Sequence, residues 1–192
     1  LCGLNVTVPY KEQVMKFLDE IDPIAKKIGA VNVIRISGGR LKGFNTDCDA
    51  FRETLEKWYT PKEKTHALIL GTGGSSKAVR EALAQLGIPY HLVSREKVKD
   101  GYTYDDLEKK PAIMHDYHLI INTTPLGMSP NTSTYPPIPY DKLTHDHYVY
   151  DLIYNPARTV FLQKAEMRNA VIKNGLEMLH VQAEKSWAIW NN

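Results

Sequence analysis

Between Leu68 and Ser76 an apolar run, Leu68, Ile69 and Leu70, stops abruptly in Gly71, Thr72, Gly73, Gly74, Ser75 and Ser76. An apolar stretch closed by glycines has the pattern of a buried strand entering a tight turn. Beyond it, Ala78, Val79, Ala82, Leu83 and Leu86 recur at helical spacing, and Gly87 stands where a left-handed residue ends a helix. Strand, glycine turn and helix in that order commit the chain to an α/β architecture. The turn also has a chemistry. Positions without side chains let a phosphate approach the backbone, and the unpaired N–H groups of the first helical turn, with the positive end of its dipole, attract the charge. A dinucleotide pyrophosphate fits that description. Ser76 replaces the third glycine of the GxGxxG fingerprint, so on this motif alone a plain βα turn stays open.

Composition narrows the partners. With 192 residues, 43% hydrophobic and 24% charged, the chain has enough apolar material for a core in one or two domains. A net charge of +2, with lysines scattered among acidic residues, argues against a nucleic-acid face. No apolar run reaches the roughly 18 to 20 residues of a membrane helix, and no signal-peptide pattern is present, so a cytoplasmic location is expected. Cys2 and Cys48 have no disulfide or zinc spacing and are expected to be reduced and structural. The seven histidines lack supporting ligands at metal-binding spacing, so no metal site is expected. The chain starts without Met and enters an apolar run at once, like a piece cut from within a domain.

Taken in order, Leu4, Val6 and Val8 alternate as a short strand. Lys11 opens a helix whose core stripe is Val14, Phe17, Leu18 and Ile21, and a second short helix ends at Gly29. Val31 to Ile36 and Leu41 to Phe44 flank Ser37, Gly38, Gly39 and Arg40 as a hairpin. Thr46 is placed to cap the next helix, with Asp49 completing a weak capping box and Phe51, Leu55 and Trp58 as the apolar face. Tyr59 to His66 has the composition of an inter-domain linker. After the glycine turn and its helix come a strand at Tyr90 to Val93, a short one at Tyr102 to Tyr104, then Leu119 to Thr124, Tyr148 to Ile153 and Val171 with Ile172. A helix carrying Phe161, Leu162 and Ala165 precedes the last of these. A final helix past Gly175 carries Leu176, Leu179, Ala183, Trp187 and Trp190. Ligands in open α/β sheets sit beyond the carboxyl ends of strands, where Ser94 and Arg95 follow Val93. An Arg there accommodates a 2′-phosphate, whereas Glu96 beside it would repel one.

Outside the glycine turn the reactive groups that stand out are Lys11 and Asp47, each following an Asn/Thr-rich polar segment. Oxidation of a secondary alcohol needs its hydroxyl proton removed as hydride leaves, and a positioned Lys/Asp pair does this. Spacing alone leaves their meeting open, and no GxSxG elbow for covalent catalysis appears.

Several separated segments together resemble the shikimate dehydrogenases. These are Asn5-Val6-Thr7-Val8-Pro9-Tyr10-Lys11, Ala30-Val31-Asn32, Asn45-Thr46-Asp47, Gly71 to Ser75, Asn122 to Met128, Asp151 to Pro156, and Asn174-Gly175-Leu176 through Gln182. The resemblance implies Lys11 as catalytic acid/base with Asp47 as its partner. It implies Thr7, Asn32, Tyr154 and Gln182 as substrate-binding residues. Gly71, Gly73, Gly74 and Ser75 would hold the pyrophosphate, Ser94 and Arg95 the adenosine end, and Thr124, Leu152 and Gly175 the nicotinamide half. It further implies an α/β fold with a Rossmann-like dinucleotide-binding domain at 60–175, part of a catalytic domain at 1–59, and a C-terminal helix at 176–192 that returns to it. The expected reaction is NADP-dependent reduction of 3-dehydroshikimate to shikimate, in aromatic amino acid biosynthesis. The family's first βα units and paired carboxylate-binding serines have no counterpart, so the chain alone is expected to be inactive. Its Asn-Arg-Thr segment is here Ser94-Arg95-Glu96. NAD, a quinate/shikimate substrate and a non-catalytic nucleotide-binding module therefore remain alternatives. Oligomeric state is not legible.

Overall fold

The computed structural model describes residues 1–60 and 65–191. Its first part is a small mixed sheet. β1 (Gly3–Asn5) and β3 (Val33–Ser37) pair antiparallel, β3 continues through a hairpin into β4 (Arg40–Phe44), and β2 (Glu20–Ile21) lies parallel to β4 on the outer edge. Between β2 and β3, α1 (Pro23–Ile28) is capped by the Asp22 carboxylate, which accepts from the N–H groups of Ile24 and Ala25, and it ends at Gly29. Ala25, Val31 and Ile34 form the core of this part, with Val14 and Leu18 packed against it.

α2 (Asp47–Trp58) then leads to a six-stranded parallel sheet. Its elements are β5 (Ala67–Leu70), α3 (Gly74–Gln85), β6 (Tyr90–Ser94), β7 (Gly101–Thr103), α4 (Tyr104–Lys109), β8 (Leu119–Asn122), β9 (Tyr148–Asp151), α5 (Val160–Glu166) and β10 (Val171–Lys173). The strand order β10-β9-β8-β5-β6-β7 is that of a doubly wound sheet, reversing direction at β5 and β8. β5 and β8 are buried on both faces, which explains their unbroken apolar sequence. Ala67, Ile69, Leu119 and Ile121 face a core shared with Phe51 and Leu55 of α2 and Val79 and Leu83 of α3. Leu68, Leu70 and Ile120 face the opposite core, with Phe161, Leu162 and Met114. Each buried Leu or Ile adds about 1.5–3 kcal/mol of transfer free energy. The glycine motif is thereby fixed at the sheet's carboxyl edge.

Several local expectations are corrected. Lys11 does not open a regular helix. Residues 13–17 form a single 3₁₀ turn, Phe17 is exposed, and Ile21 lies in β2. Backbone pairing explains this, because Asp19 N–H and Asp22 N–H donate to the carbonyls of Leu41 and Gly43, which a continuing helix would forbid. β1 stops at Asn5, and Tyr10 N–H turns back to the Thr7 carbonyl. Within the stretch read as a linker, Tyr59 and Thr65 are buried; residues 61–64 lie outside the described ones. The last helix, α6 (Leu176–Asn191), buries Met178 and Ser186 and exposes Leu176, Ala183 and Trp187, so its inward face is rotated from the expected stripe and mixes Met178 and Val181 with Ser186. Trp190 anchors it by donating to the Ile34 carbonyl at 3.0 Å.

The turn from β10 into α6 depends on a close approach. A Cβ on Gly175 would stand 2.0 Å from the Leu152 carbonyl oxygen, and that neighbour is backbone. Gly175→Ala is expected to lower stability by about 3 kcal/mol, read as a shift of the denaturant midpoint.

Candidate active site

Lys11 and Asp47 meet. Lys11 follows the turn after β1, Asp47 is the first residue of α2, and the Lys11 ammonium donates to Asp47 Oδ2 at 2.6 Å. Their side chains are 12% and 8% exposed, so the pair is largely withdrawn from water while an edge stays reachable. A buried carboxylate needs more than one partner. Asn32 supplies the second, its Nδ2 donating to Asp47 Oδ1 at 3.0 Å, and the positive end of α2 adds to the effect. The same Nδ2 reaches Thr46 Oγ1 at 2.9 Å and Gln182 Oε1 of α6 at 3.4 Å. Four segments of the chain thus meet in one polar cluster, with Lys11 and Asn32 on the carboxylate itself.

The expected cap by Thr46 is absent. Its hydroxyl makes no capping bond and turns inward to Asn32; Asn45 instead receives the Cys48 N–H at 3.1 Å. The reason is competition, since an inward hydroxyl satisfies a buried amide that no water reaches.

The glycine turn lies directly over this cluster. Lys11 Nζ is 3.5 Å from Ser75 Oγ, and a Cβ on Gly74 would lie 3.2 Å from the Lys11 Cβ. Two ion pairs, Lys77 with Glu12 at 2.6 Å and Lys27 with Glu81 at 2.7 Å, tie α3 to the first part of the chain. Gly71 has φ +105° and is backed by Thr123 and Thr124, where a Cβ would meet Thr123 Oγ1 at 2.9 Å. In front of Gly73, by contrast, an added Cβ would meet nothing within 4 Å. The first turn of α3 carries no side-chain cap, and Ser76 Oγ is buried there without a hydrogen-bond partner. Open space, uncapped N–H donors and an orphaned hydroxyl are what a pyrophosphate would fill, so the residues present fit a dinucleotide.

These features accompany extensive likeness to known proteins. The sequence model of the shikimate dehydrogenase substrate binding domain matches residues 1–34. An NADP(+) shikimate dehydrogenase of Methanococcus maripaludis is 40% identical over 201 residues, covering 99% of this chain and 72% of that protein. The chain belongs to the shikimate dehydrogenase family. The crystal structure of shikimate dehydrogenase from Aquifex aeolicus superposes with a TM-score of 0.85 at 34% identity, covering all of this chain and 72% of the other. That of the Thermus thermophilus enzyme in complex with NADP(H) and shikimate gives 0.80 at 30% identity, covering 99% and 73%.

Within this shikimate dehydrogenase fold the remaining expected site residues fall in different places. Ser94 ends β6 and accepts from the Glu96 N–H at 3.4 Å, while Arg95 and Glu96 are both exposed. Thr124 donates to Asn122 Oδ1 at 2.7 Å, and Leu152 N–H donates to the Asn122 carbonyl, so both line the carboxyl ends of β8 and β9. Gly175 lies against Leu152. Thr7 is exposed in the turn before Lys11, and Tyr154 is exposed after β9; neither side chain bonds to the Lys11–Asp47 cluster. Among the described residues no group of three His, Cys, Asp or Glu is placed to hold a metal, and no helix is long and apolar enough to cross a membrane. Cys48 is buried, and burial pushes its thiol up to about 12.

Sequence reading missed the network beneath the β8 and β9 ends. Asp151 is fully buried; its Oδ1 accepts from Asn122 Nδ2 at 3.0 Å and from Ile153 N–H at 3.1 Å, and its Oδ2 accepts from Thr159 Oγ1 at 2.6 Å. It holds together the two loops that carry Thr124 and Leu152. The available signal was an acidic residue at the end of an apolar strand. Burial pushes the Asp151 carboxyl up to about 6 despite its three donors. A group raised in the fold above its unfolded value stabilises most at low pH, and that contribution disappears as pH rises through the folded pKa. Wild type is therefore expected to gain stability relative to Asp151→Asn as pH falls from about 6 to about 4, measured by denaturation at each pH.

Proposed function

We propose that this chain is an NADP-dependent shikimate dehydrogenase that interconverts 3-dehydroshikimate and shikimate, a step of aromatic amino acid biosynthesis carried out in the cytoplasm. The observation that carries this reading is the 2.6 Å contact of Lys11 with Asp47 under the glycine turn. It supports the reading because the Lys11 ammonium is a proton donor beside the turn that would hold the cofactor. Gly71, Gly73, Gly74 and Ser75 would hold the pyrophosphate, Ser94 and Arg95 the adenosine end, and Thr124, Leu152 and Gly175 the nicotinamide half. The chemistry a bound cofactor would supply there is hydride exchange with the substrate carbon.

The chain's own residues handle the proton. In the reducing direction the Lys11 ammonium gives a proton to the substrate oxygen as the carbonyl becomes an alcohol; in the oxidising direction it takes that proton back. Asp47 accepts from Lys11 and holds the amine on the reacting oxygen. Asn32, Gln182, Thr7 and Tyr154 position the ring hydroxyls and carboxylate. The glycine turn, packed against Lys11, would shield the transfer from water. In domain terms, 1–59 and the returning helix 176–192 carry the substrate, and 60–175 carries the cofactor.

One observation favours a second cofactor. Glu96 stands exposed beside Arg95, where a 2′-phosphate would meet both charges. Turnover with each cofactor decides: the proposal expects NADP to be preferred, and preference for NAD would move the chain to the quinate/shikimate reading. In protein that also carries the family's carboxylate-binding segment, Lys11→Ala is expected to lower kcat by about 10²-fold or more while NADP binding, measured by calorimetry, changes little. Near-normal turnover would reject Lys11 as the proton shuttle.

A further inference from the structure

A buried polar chain runs from the C-terminal helix to the Lys11–Asp47 pair, and the direction of each hydrogen bond in it can be assigned. Ser186 is fully buried in α6, and its hydroxyl donates to the Gln182 carbonyl at 2.7 Å. Its single proton is used there. In its 3.4 Å contact with Thr46 Oγ1, Ser186 is therefore the acceptor and Thr46 the donor. The Thr46 oxygen is left to accept, and it takes one Asn32 Nδ2 hydrogen at 2.9 Å. The Thr46 backbone N–H meanwhile donates to Asn32 Oδ1 at 2.8 Å. One residue, itself 3% exposed, grips both ends of the Asn32 amide and decides which way it faces. The second Nδ2 hydrogen is then free for Asp47 Oδ1 at 3.0 Å, with Gln182 Oε1 farther off at 3.4 Å.

We propose that Thr46, backed by Ser186, is a positioning residue for the acid/base pair: it turns the Asn32 amide so that Nδ2 anchors Asp47, whose other oxygen holds Lys11. This rests on the reading of Lys11 and Asp47 given above. Without the Thr46 acceptor, one buried Nδ2 hydrogen is left with Gln182 at 3.4 Å or the already bonded Asp47, and only the Thr46 backbone N–H on Oδ1 still holds the amide. Asp47 then loses a fixed anchor, and the ammonium moves with it. The same chain makes α6 part of the site through a buried serine as well as through Gln182.

Thr46→Val keeps the side-chain shape and removes both hydroxyl roles, whereas Thr46→Ser keeps them. In amide nitrogen–proton NMR spectra, the Asn32 side-chain resonances are expected to shift and to exchange with water about tenfold faster in Thr46→Val, and to stay in place in Thr46→Ser. In protein that also carries the family's carboxylate-binding segment, shikimate oxidation is expected to lose about tenfold in kcat in Thr46→Val, to recover to within about twofold in Thr46→Ser, and to fall by a smaller factor in Ser186→Ala. NADP binding should be unchanged in all three. Unmoved Asn32 resonances in Thr46→Val, or a Thr46→Ser variant as impaired as Thr46→Val, would overturn the proposal. Should Thr46→Val not fold, Ser186→Ala carries the test, and unmoved Asn32 resonances there overturn it. A wild-type protein that also carries the family's carboxylate-binding segment and still fails to turn over shikimate rejects the dehydrogenase reading, and the Asn32 resonances then decide by themselves whether Thr46 orients the amide.

Discussion

A carboxylate taken out of water has to be compensated on both oxygens, and Asp47 is the place where this chain meets that demand. At 5% exposure it is held by an ammonium on Oδ2, an amide on Oδ1 and the start of a helix beneath it. Each partner comes from a different segment. Lys11 requires the turn after β1, Asn32 the residue before β3, and the helix start requires α2 to leave the hairpin at Thr46. The small mixed sheet is what brings these three together, with β3 between β1 and β4. Its own hydrophobic core is small, so polar contacts around Asp47 carry much of its local order.

The two sheets are coupled through helices that serve both. α2 begins at the carboxylate and ends in the core beside β5 and β8, where the Phe51 ring packs at a tilt on Tyr150, centroids 5.1 Å apart, and Thr54 bonds the Tyr150 hydroxyl at 2.8 Å. α6 places Met178 in that same core, Gln182 and Ser186 near Asn32, and Trp190 against β3. A rigid helix spanning a core and a polar site turns packing on one side into orientation on the other. This accounts for the mixed apolar and polar inward face of α6, which apolar periodicity alone does not reveal.

The parallel sheet was legible because its signals are local. Apolar runs ending in Gly71, Ser94, Asn122 and Asp151 mark buried strands whose ends share one edge, and helical spacing after Gly74 marks α3. Short elements were less legible. Residues 13–17 carry a helical pattern, yet the backbone of Asp19 and Asp22 pairs with β4, and that pairing lies outside any window read along the chain. Thr46 has a capping position and spends its hydroxyl on Asn32 instead, because the nearer demand in space is not the nearer in sequence.

By itself, the sequence determined the α/β class, the glycine turn and the residue types that acid/base and nucleotide chemistry would need, since strand alternation, helical spacing and glycine turns are written in neighbouring residues. Only the tertiary structure decided that Lys11 touches Asp47, 36 residues away, and that Asn32 reaches Gln182, 150 residues away. It alone decided that Thr46 and Ser186 stand behind them and that Asp151 is buried under three donors. Hydrogen bonds between distant segments leave no period in the chain, and a buried charge becomes tolerable only when the fold delivers its partners.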